Sequence, residues 1–267
     1  MILGTQDKDF FPSDLKEKFL FLKEKGFDCF EIDGKLLLEH RKELPEIIRE
    51  TGMYVCSGCN GYRGWIGDID EERRQAGLAD LKEMLAALAE IGAEGMVIPA
   101  AYGMCTNRLP GRQSPRSKEE DRRILLDSLS QLDVVAREKG VYLFLEPLNS
   151  FADHMINKVE TAVSLIEEGG FTNVKVTCDF YHLAMEEDEL SATFRKYGKY
   201  IGRVHLCENH RLQPGTGSID FKKHMATLKE VGYDGPAVIE CMVRVNSGDA
   251  SPLDAFLKSV PYMKQFM

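Results

Sequence analysis

Four acidic or imidazole residues each close a short apolar run in the second half of the chain. They are Glu146 in Leu145-Glu146-Pro147, Asp179 in Cys178-Asp179-Phe180, His205 in Val204-His205-Leu206 and Glu240 in Ile239-Glu240-Cys241. Two glutamates, one aspartate and one histidine are the donor types of a mononuclear metal site, provided that one rim gathers the four strand ends. Taken singly, each has an ordinary reading as a rim carboxylate or a structural histidine. As a set, three carboxylates and one imidazole are hard and oxygen-rich. That set suits one divalent ion, Mn2+ first with Mg2+ or Co2+ as alternatives, better than a structural zinc, for which thiolates would be expected.

The elements that would position these residues follow a repeating phrase: a charged amphipathic helix, a glycine, then a short apolar strand. The glycine suits a helix C-cap and recurs at Gly26, Gly52, Gly92, Gly140, Gly170, Gly198 and Gly232. The phrase predicts strands at 2–6, 27–33, 53–59, 95–101, 141–147, 174–179, 201–207 and 236–243. Helices fall at 13–25, 39–51, 71–91, 118–139, 159–168, 187–196, 221–231 and 252–266. Eight such units imply an α/β fold, a (β/α)8 TIM barrel, as a single domain over 1–267. A doubly wound sheet would carry a phosphate-binding glycine fingerprint after its first strand, and Gly4-Thr5-Gln6-Asp7 has none. In the barrel all four candidate donors share the active rim. Cys178 and Cys241, next to Asp179 and Glu240, then point outward to the helices.

The formal net charge of −9 argues against nucleic acid as a partner, since the only basic stretch is 108–123. No run of about 18 uncharged apolar residues exists to span a membrane, and the start of the chain lacks a leader pattern. Seven cysteines, an odd number set mostly in strand-like runs, read as buried thiols in a reducing cytoplasm. The Cys56-Ser57-Gly58-Cys59 pair has no second pair to complete a zinc site.

The segments LEPLN at 145–149, TCDFYHL at 177–183, VHLCENHR at 204–211, PGTGSIDF at 214–221 and VIEC at 238–241 resemble the xylose-isomerase-like sugar isomerase and epimerase family, closest to its ketose 3-epimerase branch. The resemblance implies that Glu146, Asp179, His205 and Glu240 bind one divalent ion and that Glu146 and Glu240 are also the acid/base pair. It further implies that His182 and Arg211 hold substrate oxygens of a small sugar or keto-sugar. An ion chelating a carbonyl and the neighbouring hydroxyl stabilises a cis-enediolate. Two glutamates flanking the sugar can then take a proton from one face and return one to the other. Family members often pair, so a homo-oligomer is open.

Trp65, in a glycine-rich loop, reads as a substrate-binding wall over a sugar ring or as packing under a lid. Arg203, two residues before His205, faces inward and needs an acidic partner, with Glu31 as the candidate. His40, His154, His210 and His224 read as solvated. After LEPLN the chain has Ser150-Phe151-Ala152-Asp153, where ketose 3-epimerases usually show an arginine and then a glutamate that touches substrate; this weakens the case for a free ketohexose. Arg108, Arg112, Arg116 and Lys118 fit either a clamp for a phosphate or second sugar unit, or a solvated lid. Two rivals remain. A dehydratase or lyase on an inosose-like keto-sugar or cyclic ketone shares the first step. An apurinic endonuclease needs a three-zinc cluster, and the only histidine before residue 146 is His40.

Overall fold

A computed structural model describes residues 1–267. Each short apolar strand finds its neighbour in the next repeat, and all eight pair in parallel to close a barrel in sequence order. They are β1 Ile2–Thr5, β2 Cys29–Asp33, β3 Tyr54–Cys59, β4 Gly95–Pro99, β5 Tyr142–Glu146, β6 Val174–Asp179, β7 Ile201–Leu206 and β8 Pro236–Ile239. The helices are α1 Leu15–Glu24, α2 Gly34–Glu39, α3 Leu44–Thr51, α4 Glu71–Glu90, α5 Lys118–Lys139, α6 Val159–Gly169, α7 Phe180–Glu186, α8 Leu190–Tyr197, α9 Phe221–Glu230, α10 Pro252–Leu257 and α11 Ser259–Lys264. One contiguous apolar cluster joins strands to helices and includes Cys178 and Cys241, as the alternation requires. No helix is long and apolar enough to cross a membrane.

Local chemistry sets most boundaries. Asp14, Asp70 and Asp220 accept backbone N–H groups at the starts of α1, α4 and α9, and Ser117 with Glu120 forms a capping box on α5. Six of the seven repeat glycines have left-handed backbones. Gly198 does not; it lies in a 3-10 turn where a Cβ would come within 2.7 Å of Val231 Cβ, so close approach is its reason.

Two helices lie outside the eightfold phrase. The strand-end aspartates Asp33 and Asp179 cap α2 and α7, and the chain turns helical directly from β2 and β6. Helices of six and seven residues are too short to show a periodic signature. The expected helix 252–266 is two pieces, with Pro261 near the start of the second, where it has no N–H to continue a single helix. The eighth strand stops at Ile239, because Met242 N–H donates to Arg211 O and binds the rim loops together instead.

Arg203 is fully buried and does have an acidic partner, but that partner is Glu94 and not Glu31. Its Nη2 donates to Glu94 Oε2 at 3.0 Å and to Cys56 O at 3.1 Å, with the guanidinium 4.8 Å from the Phe144 ring centre. The residue sits one layer deeper than His205, at the end where Glu94 leads into β4, whereas Glu31 lies level with His205. Arg203→Ala should therefore cost about 3 kcal/mol of stability, through the cavity it leaves against Phe144. Arg203→Met, which keeps the packing on Phe144, should cost clearly less. Urea unfolding of both variants checks the order, and the reverse order refutes it.

Candidate metal centre and active site

The four sequence-identified donors meet at one rim. Glu146 and Asp179 end β5 and β6, His205 is the penultimate residue of β7, and Glu240 directly follows β8. The β6–β7 register sets Asp179 opposite His205. His205 Nδ1 lies 3.1 Å from Glu146 Oε1, 2.8 Å from Glu240 Oε2 and 3.9 Å from Asp179 Oδ2. One donor atom from each residue lies within 4.8 Å of the others. A first-row ion with bonds of roughly 2.1 Å to oxygen fits a set of that span.

Charge makes the same point. Within salt-bridge distance, Glu31, Glu146, Asp179 and Glu240 meet only two basic side chains, His205 and Arg211. Burial pushes the Glu146 carboxyl up to about 7, against the pull of His205. Burial also pushes Glu240 up, but His205 and Arg211 together hold it well below the usual carboxylate range. Burial lowers His205, yet the carboxylates around it, Glu31 foremost, raise it well above an ordinary imidazole. Nδ1 carries at most one proton and faces two carboxylates at once, and Glu240 Oε2 is left without an aligned hydrogen bond. A cation shared among the donors satisfies all of them, so the residues fit a divalent ion.

Arg211 bridges two of these donors, with Nη1 2.5 Å from Asp179 Oδ2 and Nη2 2.9 Å from Glu240 Oε2. Asp179 works twice, because its other oxygen accepts the His182 N–H at 3.0 Å and caps α7. His182 is buried, which lowers its pKa and keeps it neutral. Its Nδ1 accepts from Asn149 N–H at 2.9 Å and from the Asn149 side-chain amide at 2.8 Å. The ring proton is thereby assigned to Nε2, making His182 a donor beside the carboxylates. Neither Asn149 nor the approach of Glu31 Oε1 to His205 Nε2, at 2.9 Å, was identified from sequence. Asn149 stands inside LEPLN, where only its spacing to Glu146 hinted at a role.

A cavity of about 180 Å3 opens on the donors, lined by Glu146, His182, Arg211, Glu240, Tyr102 and Asn60 among others. The only two non-glycine residues with left-handed backbones, Asn60 and Arg211, both line it. Such strain persists where the surroundings enforce it, commonly at functional sites. Trp65 stands one ring back from the cavity, edge-on to Tyr102 at 5.9 Å and to Tyr62 at 5.5 Å. A larger cavity, about 560 Å3, lies elsewhere, lined by Arg108, Lys118, Arg122, His154 and Glu186 with other residues of α5 and α6, and contains none of the four donors.

Two histidines expected in solvent are buried. His154 Nε2 lies 3.1 Å from Asp121, and His224 Nδ1 pairs with Ser191 Oγ at 2.8 Å. His210 is exposed, and His40 sits at the end of α2 beside Glu43, away from the donors. The basic loop is tied down: Arg116 to Asp121 at 2.8 Å, Arg112 to Gly103 O at 2.9 Å and Arg108 to Ser150 Oγ at 2.6 Å.

Comparison with known proteins shows the family and the fold. The family described as xylose isomerase-like TIM barrel matches residues 19–265. The 3-dehydro-D-guloside 4-epimerase of Escherichia coli (strain K12) is 44% identical over 99% of both chains. D-psicose 3-epimerase of Enterocloster bolteae is 31% identical over 95% of this chain and 85% of its own. The crystal structure of 3-keto-D-glucoside 4-epimerase from E. coli in its apo form superposes with a TM-score of 0.96 at 44% identity, covering 99% of each chain. The chain belongs to the xylose isomerase-like TIM barrel family.

Proposed function

We propose that this protein, a sugar epimerase, inverts the carbon next to the ketone of a keto-glycoside, using one divalent ion, Mn2+ first among candidates. The observation that carries the reading is the glutamate pair. Glu146 and Glu240 converge on one imidazole nitrogen, with their proton affinities pushed apart, Glu146 to about 7 and Glu240 well below the usual range. Two titratable groups separated in this way are the mark of an acid and a base working together. They come from strands three apart around an eight-strand ring. That placement supports access to two faces of one sugar carbon.

Glu146, Asp179, His205 and Glu240 would hold the ion. When bound, it supplies Lewis-acid chemistry, polarising a carbonyl and its neighbouring oxygen so that the proton between them becomes removable. One glutamate takes that proton and the other returns one to the opposite face. His182 donates from Nε2 to a sugar oxygen, and Arg211 adds positive charge where negative charge develops. In a 3-keto sugar inverted at C4, and in a ketohexose inverted at C3, the reacting carbon is next to the carbonyl. One site serves both.

Residues after Asn149 favour the glycoside. Ser150 donates from N and Oγ to Glu186 at 2.7 and 2.6 Å, and buried Asp153 accepts from Ala101 N–H and Met155 N–H. Both are committed to holding the loop and neither is free to grip the outer hydroxyls of a free ketose. The lyase reading shares the first step, and the 44% identical 4-epimerase favours return of the proton over loss of water. The seven unpaired, buried cysteines suit a reducing cytoplasm.

Metal uptake must release the Glu146 proton and free His205 Nδ1, so affinity rises with pH. Below about pH 7, Mn2+ affinity should fall by at least about tenfold per pH unit, measured by electron paramagnetic resonance of the free ion. A flat profile between pH 6 and 8 contradicts the donor set. Glu146→Gln and Glu240→Gln, assayed at metal saturation, should each lose roughly 100- to 10,000-fold in turnover on a 3-keto-glycoside. In D2O the wild-type product should carry one deuterium at the inverted carbon. A new alkene in the NMR spectrum would instead make the protein a lyase. His182→Ala should lower kcat by about 100-fold. Asn149→Ala, which keeps the backbone donor to Nδ1, should cost much less, and equal losses would remove the tautomer argument.

A further inference from the structure

The cavity at the metal donors, about 180 Å3, is well below the roughly 300–1,000 Å3 of pockets that enclose drug-sized ligands. It holds about one sugar ring. A glycoside whose keto-bearing ring reaches the donors therefore leaves its aglycone at the mouth. Tyr102 is part of the cavity lining and reaches that mouth. Of all its phenylalanine, tyrosine and tryptophan side chains only Tyr102 and Phe151 are exposed, at 54% and 53%.

The two rings sit on different loops, one after β4 and one after β5. Gly103 N–H donates to Ala152 O at 2.7 Å, setting the backbones of residues 102 and 151 side by side. Tyr102 also lines the cavity, so one of the two exposed rings borders the sugar position itself. Trp65 supports Tyr102 edge-on from within. Ser150, next to Phe151, is already used: it binds Arg108 and Glu186. On this side the two exposed rings are the aromatic surface that an aglycone can meet.

We propose that Tyr102 and Phe151 form an aglycone subsite that stacks a ring-shaped aglycone, either an aromatic ring or the C–H face of a second sugar. This rests on the keto-glycoside reading given above. The subsite acts on binding and selectivity, and the metal donors act on the proton. Exposed aromatic rings recognise flat apolar faces through area and ring geometry, so the gain does not depend on the bond that is made or broken.

Trp65 is the only tryptophan, and its contact with Tyr102 makes it a reporter. Metal-loaded protein is titrated with methyl, phenyl and glucosyl 3-keto-glycosides, following Trp65 emission, and kcat and KM are measured for each. The phenyl and glucosyl compounds should bind about fivefold tighter than the methyl compound, and the difference should appear in KM. Tyr102→Ala and Phe151→Ala should each shrink that ratio toward one. A wild-type affinity independent of the aglycone overturns the subsite, as does an unchanged ratio in both variants. A preference confined to phenyl identifies an aromatic aglycone, and one shared by glucosyl a disaccharide. If Phe151→Ala changes the sedimenting mass and not the ratio, the two rings are a contact between copies of the chain and the proposal falls. Ring-dependent binding without turnover of any glycoside keeps the subsite and removes the epimerase assignment; turnover without aglycone preference does the reverse.

Discussion

Four carboxylates held at the mouth of one barrel around a single imidazole are the constraint to which the other parts of the site respond. Removing that much negative charge from water is expensive, and the interior recovers the cost only through close pairing and full hydrogen bonding. His205 and Arg211 supply two positive charges, and Glu146 responds by holding its proton to about pH 7. The remaining negative charge is what suits the cluster to a cation. Glu31 closes the far side of the imidazole, steadied by Ser57 Oγ at 2.6 Å and by the Gln6 side-chain amide at 2.9 Å. With Nε2 facing Glu31, the other ring nitrogen is left for the donors at the mouth.

Such an arrangement tolerates little movement, and the barrel is what prevents it. Each donor is fixed by strand register, with Asp179 opposite His205 and His205 opposite Val238. Loops add what strands cannot. Glu208, buried just past β7, accepts the N–H groups of Gly215 and Ile219 at 2.9 and 3.0 Å and so folds the 208–219 loop back on itself. Arg211 is thereby held in a left-handed backbone, a conformation that costs on the order of 1–3 kcal/mol for a side-chain-bearing residue. That cost is met because Arg211 bridges Asp179 and Glu240.

The donors and the eight strands were legible in the sequence because both depend on local pattern: an apolar run, a terminal polar residue, and a glycine before the next run. What escaped depends on contacts between distant residues. Asn149 looked like any loop residue until the fold brought it to His182, 33 positions away. Arg203 was placed inward correctly by alternation, but choosing Glu94 over Glu31 required knowing the depth of each side chain along the barrel axis. His154 and His224 were read as solvated because neither lies in an apolar run; one is buried against Asp121 and the other against Ser191. The helices α2 and α7 were missed because an aspartate closing a strand also started a helix, and each helix is too brief to repeat its pattern.

The same division separates chemistry from selectivity. Glu146, Asp179, His205 and Glu240 sit on or directly beside the closed sheet, where substitution disturbs both charge balance and register. Tyr102 and Phe151 sit on two loops joined to each other by a single backbone hydrogen bond, and the ring of Phe151 projects largely into water. Changing a residue there alters what a sugar carries into the mouth without altering the distances among the donors. The donor set can therefore stay fixed while the loops after β4 and β5 change. In this chain, Ser150 and Asp153 are already committed to holding those loops in place.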